Sequence, residues 1–141
     1  MRSVIKSTIT EEDFQFIKDH GDRRIAPQTL EAYKKNENIA FKSYKDEILT
    51  GLTAGIVLNN KAIFNITITH KDYRNTGIGT DLLRHKMLYF NQNKFEYETI
   101  VAADNGPSLA ICLKNRMILE KIEDRTRASG QFKSFLLRQE S

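Results

Sequence analysis

Apolar and polar positions change period along this chain, and each change marks an element. Ile66 and Ile68 alternate with Thr67 and Thr69, the pattern of a half-buried strand built from β-branched residues. His70 to Tyr73 break the run. From Ile78 onward, Leu82, Leu83, Met87 and Phe90 recur at a period of about 3.6, which puts them near one face of a helix. Between the two stands Arg74-Asn75-Thr76-Gly77-Ile78-Gly79. The centre of the chain is therefore a strand, a glycine-bearing loop and a helix.

The flanks follow the same logic. Arg2 to Lys6 is a short strand. Thr10 is a helix N-cap, with Glu11, Glu12 and Asp13 complementing the dipole and Gly21 as the stop. Asp22, Arg23 and Arg24 are loop-like, and Pro27 opens a second helix carrying Leu30 and Tyr33. Asn38 to Tyr44 and Ile48 to Leu58 are strands about a tight turn at Lys45-Asp46. Gly51 and Gly55 suggest a bulge or a close backbone approach in the second of them. Asn59-Asn60 is a hairpin turn signal. Phe95 to Ala103 is a strand, broken by Asp104-Asn105-Gly106-Pro107. Ser108 to Asn115 is a short helix. Met117 to Glu123 and Phe132 to Leu137 are the last strands, joined by Asp124 to Gln131 with Ser129-Gly130. No linker, repeat or low-complexity segment divides the chain, so residues 1–141 are expected to form a single domain.

A loop of this kind has a chemical use. The first amides of a helix lack intrahelical partners and lie at the positive end of its dipole. Glycines let backbone approach a ligand closely. Together they cradle an anion such as phosphate, and the Arg74 guanidinium can fork onto its oxygens. The spacing excludes two common cradles. A P-loop needs Lys after the second glycine, where Thr80 stands; a dinucleotide fingerprint needs a third glycine, where Leu82 stands after Asp81. The bland alternative is a strand-to-helix turn with glycines for tight packing.

What remains, R-x-x-G-x-G between strand and helix, resembles the coenzyme A pyrophosphate loop of the GNAT acetyltransferase superfamily. Asn105-Gly106-Pro107-Ser108 and the short helix after them resemble that superfamily's second motif, in which an Asn at a strand end precedes a helix beneath the pantetheine arm. The resemblance covers residues 38 to 137 in order. It implies an α/β fold: a mixed, mostly antiparallel, splayed sheet of about 6–7 strands with helices on both faces. It implies acetyl-CoA as cosubstrate, with Arg74, Asn75, Thr76, Gly77, Ile78, Gly79 and Thr80 on the pyrophosphate, Asn105 and Ser108 by the pantetheine, and backbone amides near Ile68 and Thr69 as oxyanion donors. The family's leaving-group Tyr is replaced by Cys112, leaving a thiol either as proton donor or as core filler. The segment that usually reads Glu-Lys-x-Gly-Phe is here Leu113-Lys114-Asn115-Arg116-Met117, and Asn115 is expected to supply the left-handed helix end in place of Gly. No general base stands out: Asn65 occupies the central strand where a carboxylate would serve, and His70 reads as a solvated loop residue.

The implied reaction is acetyl transfer to an amine. The acceptor is expected to be a small molecule, an amino acid or polyamine. The alternatives are a protein- or tRNA-linked amine, or a non-catalytic acyl-CoA sensor. Net charge is +4, all of it in residues 51–141, which hold 13 Lys and Arg against 9 Asp and Glu. That bias suits a polyanionic cofactor. A nucleic-acid partner is not expected, since there is no dense basic run or RNA-binding aromatic motif. No apolar run approaches the ~20 residues of a membrane span, and no side-chain cluster has metal-ligand spacing. The lone Cys112 and the absence of an N-terminal apolar core lead to an expectation of the cytoplasm. A homodimer through the last strands is the family's habit.

Overall fold

The computed structural model describes residues 2–21, 27–103, 105–127 and 130–139. The loop expected at Asp22 to Arg24, Asp104 and Ser129 lie outside them. A first strand, β1 (Arg2–Ser7), is followed by helices α1 (Glu11–His20) and α2 (Pro27–Lys35). Strands β2 (Asn38–Lys45), β3 (Ile48–Leu58) and β4 (Lys61–Thr69) form a meander. A single 3₁₀ turn, Lys71–Tyr73, leads to α3 (Ile78–Gln92). Then come β5 (Glu96–Ala102), α4 (Gly106–Lys114), β6 (Ile118–Arg127) and β7 (Gly130–Arg138). The seven strands make one sheet in the order β1-β2-β3-β4-β5-β7-β6. Every neighbouring pair is antiparallel except β4 and β5. The mixed, mostly antiparallel α/β sheet expected from the sequence is the one observed.

The parallel pair fixes the shape of the middle. β4 and β5 are in register only at Lys61↔Glu96 and Ala62↔Tyr97; β4 then runs on to Thr69 and β5 to Ala102 without pairing. The sheet is thus splayed at its centre.

Helices cover both faces because alternate residues of β3 point opposite ways. Leu52, Ala54, Ile66 and Ile68 pack with Phe14, Ile17 and Tyr33 of α1 and α2. On the other face, a Cβ on Gly51 would lie 2.8 Å from Ile78 Cγ2, and one on Gly55 would lie 3.3 Å from Phe90 Cζ. The two glycines make the groove in which α3 sits. Both glycines mark bulges: on β3 itself Thr50, beside Gly51, is the extra residue against β2, where Ser43↔Gly51 gives way to Tyr44↔Leu49, while opposite Gly55 the extra residue is on β4, where Phe64 and Asn65 stand against Gly55 alone and Phe64 takes the left-handed φ of 52°. α1 is pinned to β2 by a buried ion pair, Asp13 Oδ2 to Lys42 Nζ at 2.6 Å, and the same oxygen accepts from the Thr10 amide at 2.8 Å.

Two other expectations need correction. The β6–β7 ladder runs on to Arg127↔Gly130, through the segment read as a connection. Polar cross-strand pairs hold it there: Arg125 Nε donates to Ser134 Oγ at 2.9 Å, and Lys133 meets Asp124 at 2.8 Å. The left-handed residue after α4 is Arg116 (φ 61°), not Asn115 (φ −93°). The Asn115 carboxamide donates to Ile111 O (2.9 Å) and Thr80 O (3.2 Å), tying α4 to α3, so the chain turns one residue later.

Because the Gly51 position faces side-chain atoms of α3 and the Ile68 carbonyl at 3.2 Å, Gly51→Val should lower stability by about 1–3 kcal/mol through overpacking. Urea denaturation measures it, and an unchanged midpoint would refute the close-packed groove.

Candidate active site

The cradle begins where β4 ends. The His70 amide donates to Thr50 O at 2.8 Å, the last rung toward β3. After the 3₁₀ turn, Asn75 (φ 63°) and Gly77 (φ 83°) take left-handed conformations, and the Thr76 hydroxyl donates to Tyr73 O. Gly77 is the N-cap of α3, so the amides of Ile78, Gly79 and Thr80 open the helix without intrahelical partners. Arg74 to Gly77 are exposed; Ile78 and Gly79 are buried. A Cβ on Gly79 would lie 2.8 Å from Ile111 Cδ1 and 3.3 Å from Thr69 Oγ1, so β4, α3 and α4 converge on this glycine. Nothing lies within 4 Å of a Cβ built on Gly77, where the backbone faces open space.

The cradle is clasped to α1. His20 and His70 stack with ring centroids 3.9 Å apart; Phe16 packs on His20 at 4.8 Å and Tyr73 edges onto His70 at 5.2 Å. His20 Nδ1 accepts from the Lys71 amide and His70 Nδ1 from the Asp72 amide, each at 3.1 Å. Both rings present a lone pair there. Burial and then the His70 ring hold His20 below its ordinary value of 6.5. Arg74 Nη2 donates to His20 O at 2.7 Å, which uses one of the guanidinium's five donors. His70, read as a solvated loop residue, is instead part of this clasp.

The gap between β4 and β5 has an ordered lining. Antiparallel strands alternate between hydrogen-bonded and non-bonded pairs. Since His70 bonds Thr50, Ile68↔Leu52 and Ile66↔Ala54 are the bonded pairs. The backbone groups of Thr67 and Thr69 therefore turn away from β3 and toward the gap, while the amide of Ile68 is directed to Leu52. Thr53 Oγ1 lies 2.8 Å from Thr67 Oγ1, as expected for a close non-bonded pair.

Across the gap, Asn105 is the N-cap of α4, and its Oδ1 accepts from the Ser108 amide at 3.3 Å. Cys112 is 5% exposed and packed among Leu83, Met87, Tyr97 and Met117. Burial pushes its thiol up to about 11. Sequence reading missed its neighbour Lys86, which is fully buried. Lys86 Nζ donates to Ala54 O at 3.1 Å and sits 5.1 Å from the Tyr97 ring centroid. Burial brings its pKa down to about 7. Its signal was spacing: Lys86 lies four residues from both Leu82 and Phe90, on the apolar row. Among the described residues no group of side chains suits a metal ion, and no helix is long and apolar enough to cross a membrane.

Lys86 makes stability pH-dependent in a defined window. Its folded pKa lies near 7 and its unfolded one near ~10.4, so above pH 7 the unfolded chain binds more protons and stability rises with pH. Cys112, raised to about 11, acts in the opposite sense above ~8.5. Between pH 7 and ~8.5 the native state should gain roughly 1–2 kcal/mol from Lys86. Lys86→Met should flatten the urea-midpoint profile over that window; a variant with the wild-type slope would remove Lys86 as its source.

No protein-family model and no curated protein matches the chain. Solved structures do. The ribosomal-protein-S18-alanine N-acetyltransferase of Escherichia coli superposes with a TM-score of 0.76 at 14% identity, covering 98% of this chain and 92% of that one. A spermidine N-acetyltransferase SpeG chimera from Vibrio cholerae and hSSAT gives 0.75 at 15%, covering 96% and 93%. An acetyltransferase of the GNAT family from Streptococcus pneumoniae gives 0.73 at 13%, covering 97% and 98%. With a seven-stranded sheet splayed between β4 and β5 and a glycine-bearing turn at the mouth of the gap, the chain has the fold of the GNAT acetyltransferases.

Proposed function

We propose that this protein is an acetyl-CoA-dependent N-acetyltransferase acting on a primary amine. The observation that carries the reading is the junction of two features: the helix N-terminus at Gly77–Thr80 stands at the open end of the β4–β5 gap. A ligand with a pyrophosphate and a long amide-bearing arm fits both at once. The amides of Ile78, Gly79 and Thr80, with Asn75, Thr76, Gly77 and the Arg74 guanidinium, hold the pyrophosphate. The Thr67 and Thr69 backbone groups pair with the arm and supply oxyanion donors; Ile68 contributes through packing, since its own amide points to β3. The Asn105 carboxamide nitrogen and the start of α4 near Ser108 border the arm on the other side.

In the reaction the neutral amine nitrogen attacks the thioester carbonyl, the C–N bond forms and the C–S bond breaks. The amine's proton leaves to solvent and the thiolate departs. A Cys112 thiol at about 11 is a weaker acid than an ordinary thiol at ~8.5, so proton donation from it to a leaving thiolate runs uphill. Cys112→Ala should therefore leave kcat within about threefold while lowering stability by about 1 kcal/mol. A hundredfold loss of kcat with a moved pH limb would instead give Cys112 the acid role.

The acceptor belongs to the small amines, an amino acid or polyamine. Relatives of this fold named for spermidine and for a ribosomal protein's alanine make a protein amine the competing class. The free Cys112 thiol fits a reducing cytoplasm. Thiol release from acetyl-CoA against amino acids, polyamines and peptides tests the assignment. Turnover should appear with one class, and Gly77→Glu, which sets a carboxylate at the cradle, should raise the KM for acetyl-CoA by about tenfold or more. Failure of the wild-type protein to bind acetyl-CoA would overturn the assignment.

A further inference from the structure

We infer that Asn65 forms the inner wall of the β4–β5 gap and limits the acyl group to a short one; this rests on the acetyltransferase reading above. The backbones of β4 and β5 last pair at Ala62↔Tyr97. One step farther out, a side chain replaces the missing rung. Asn65 Nδ2 donates to Glu98 O on β5 at 2.8 Å and to Ala62 O on its own strand at 3.1 Å. Both partners are carbonyls, so the nitrogen must face them and the amide orientation is fixed. The bracket closes the gap at this level. Outward from it, the unpaired stretch from Asn65 to Thr69 is about 13 Å long at ~3.3 Å per residue.

The bracket is held from both sides. Asn65 belongs to the bulge, whose other member, Phe64, keeps a left-handed φ of 52°. A bulky residue is rarely found there without strain. The Tyr33 hydroxyl of α2 latches the Phe64 carbonyl. Opposite, Gly55 leaves room for the carboxamide: a Cβ at Gly55 would lie 2.6 Å from Asn65 Oδ1.

This arrangement is not the cheapest for stability. Asn65 Oδ1 is buried with no hydrogen-bond partner, and such an atom costs about 1–3 kcal/mol. An apolar residue would avoid that cost but would leave β5 untied at this rung. What the asparagine adds is position, fixing where the gap ends. An arm lying along Thr69 and Thr67 brings its thioester toward the bulge, and the acyl chain beyond the carbonyl then meets the Asn65 bracket and Phe64. An acetyl group ends there, and two more methylenes must displace the bracket.

Binding of CoA, acetyl-CoA and butyryl-CoA by isothermal calorimetry tests this without knowledge of the acceptor. Each methylene refused by a fitted pocket is worth ~10-fold or more, so wild type should bind butyryl-CoA at least tenfold more weakly than acetyl-CoA. Asn65→Ala, and Asn65→Ser as a second and milder variant, should bring that ratio to within about threefold. The ratio is the diagnostic quantity, because general loosening weakens both ligands alike. Equal binding of the two by wild type would overturn the inference even if neither variant folds. So would variants that keep the wild-type ratio. If wild type binds none of the three, the acetyltransferase reading fails and takes this inference with it; if it binds acetyl-CoA without discrimination, only the inference falls.

Discussion

The rest of this structure depends on one interrupted ladder. β4 and β5 are parallel neighbours that pair over Lys61↔Glu96 and Ala62↔Tyr97 and then part. Backbone donors and acceptors in the middle of a sheet ordinarily have partners, and leaving them without any is costly. Here those of Thr67 and Thr69 point into a gap bordered by the ends of two helices. Solvent or a ligand must satisfy them. An extended chain with its own amides satisfies them best, because it can stand in for the absent strand.

Holding such a gap open takes anchors on both sides. On the α1–α2 face, the Asp13–Lys42 ion pair pins α1 to β2, the Tyr33 hydroxyl pins α2 to the β4 bulge, and the Arg74 guanidinium with the His20–His70 stack pins the end of α1 to the cradle. On the other face, α3 lies in the Gly51 and Gly55 groove, Lys86 reaches back to Ala54 O, and Asn115 joins α4 to the first turn of α3. Together these contacts tie the strands and helices around the gap to one another. The buried ion pair and the buried lysine are poor stabilisers compared with apolar residues of similar size. Their directed bonds fix relative position, and a binding gap needs that more than it needs added stability.

Much of this was legible in the sequence because the physics is local. The apolar row of α3 emerges as read, with Ile78, Leu82, Leu83, Met87 and Phe90 all buried. Asn59 and Asn60 both take positive φ, as their turn requires. The two β3 glycines mark a close approach, and each stands at a bulge, Thr50 beside Gly51 on β3 and Phe64–Asn65 of β4 opposite Gly55. What could not be read depends on partners distant in sequence. Lys86 has a polar identity in an apolar row, and only the Ala54 carbonyl and the Tyr97 ring explain it. Asn65 looked like a missing carboxylate until Glu98 O came within reach. The outer half of the β6–β7 hairpin has no apolar alternation, since ion pairs across the strands hold it. At Asn115 the residue suited to a left-handed turn is used for its side chain, and Arg116 makes the turn.

The same buried groups constrain how an acyl transfer here would manage its protons. Cys112 has its thiol raised to about 11, so it is protonated at neutral pH but reluctant to give the proton up. Lys86, brought down to about 7, has an acidity better suited to the task, but it is enclosed and committed to Ala54 O. No carboxylate stands on the gap-facing stretch of β4, where Asn65, Thr67 and Thr69 supply amide and hydroxyl groups. In the proposed transfer, water at the open end of the gap would carry the proton from the amine and bring one to the thiolate. The protein's contribution is then placement of amine and thioester in attack geometry together with backbone donors for the oxyanion, effects that account for large accelerations without a dedicated acid or base. An active site of the proposed kind would do without the tyrosine whose place Cys112 takes in the resemblance. It does not tolerate a shift of the strand that carries Thr67 and Thr69, which is why so many of the anchors converge on β4 and on the turn that follows it.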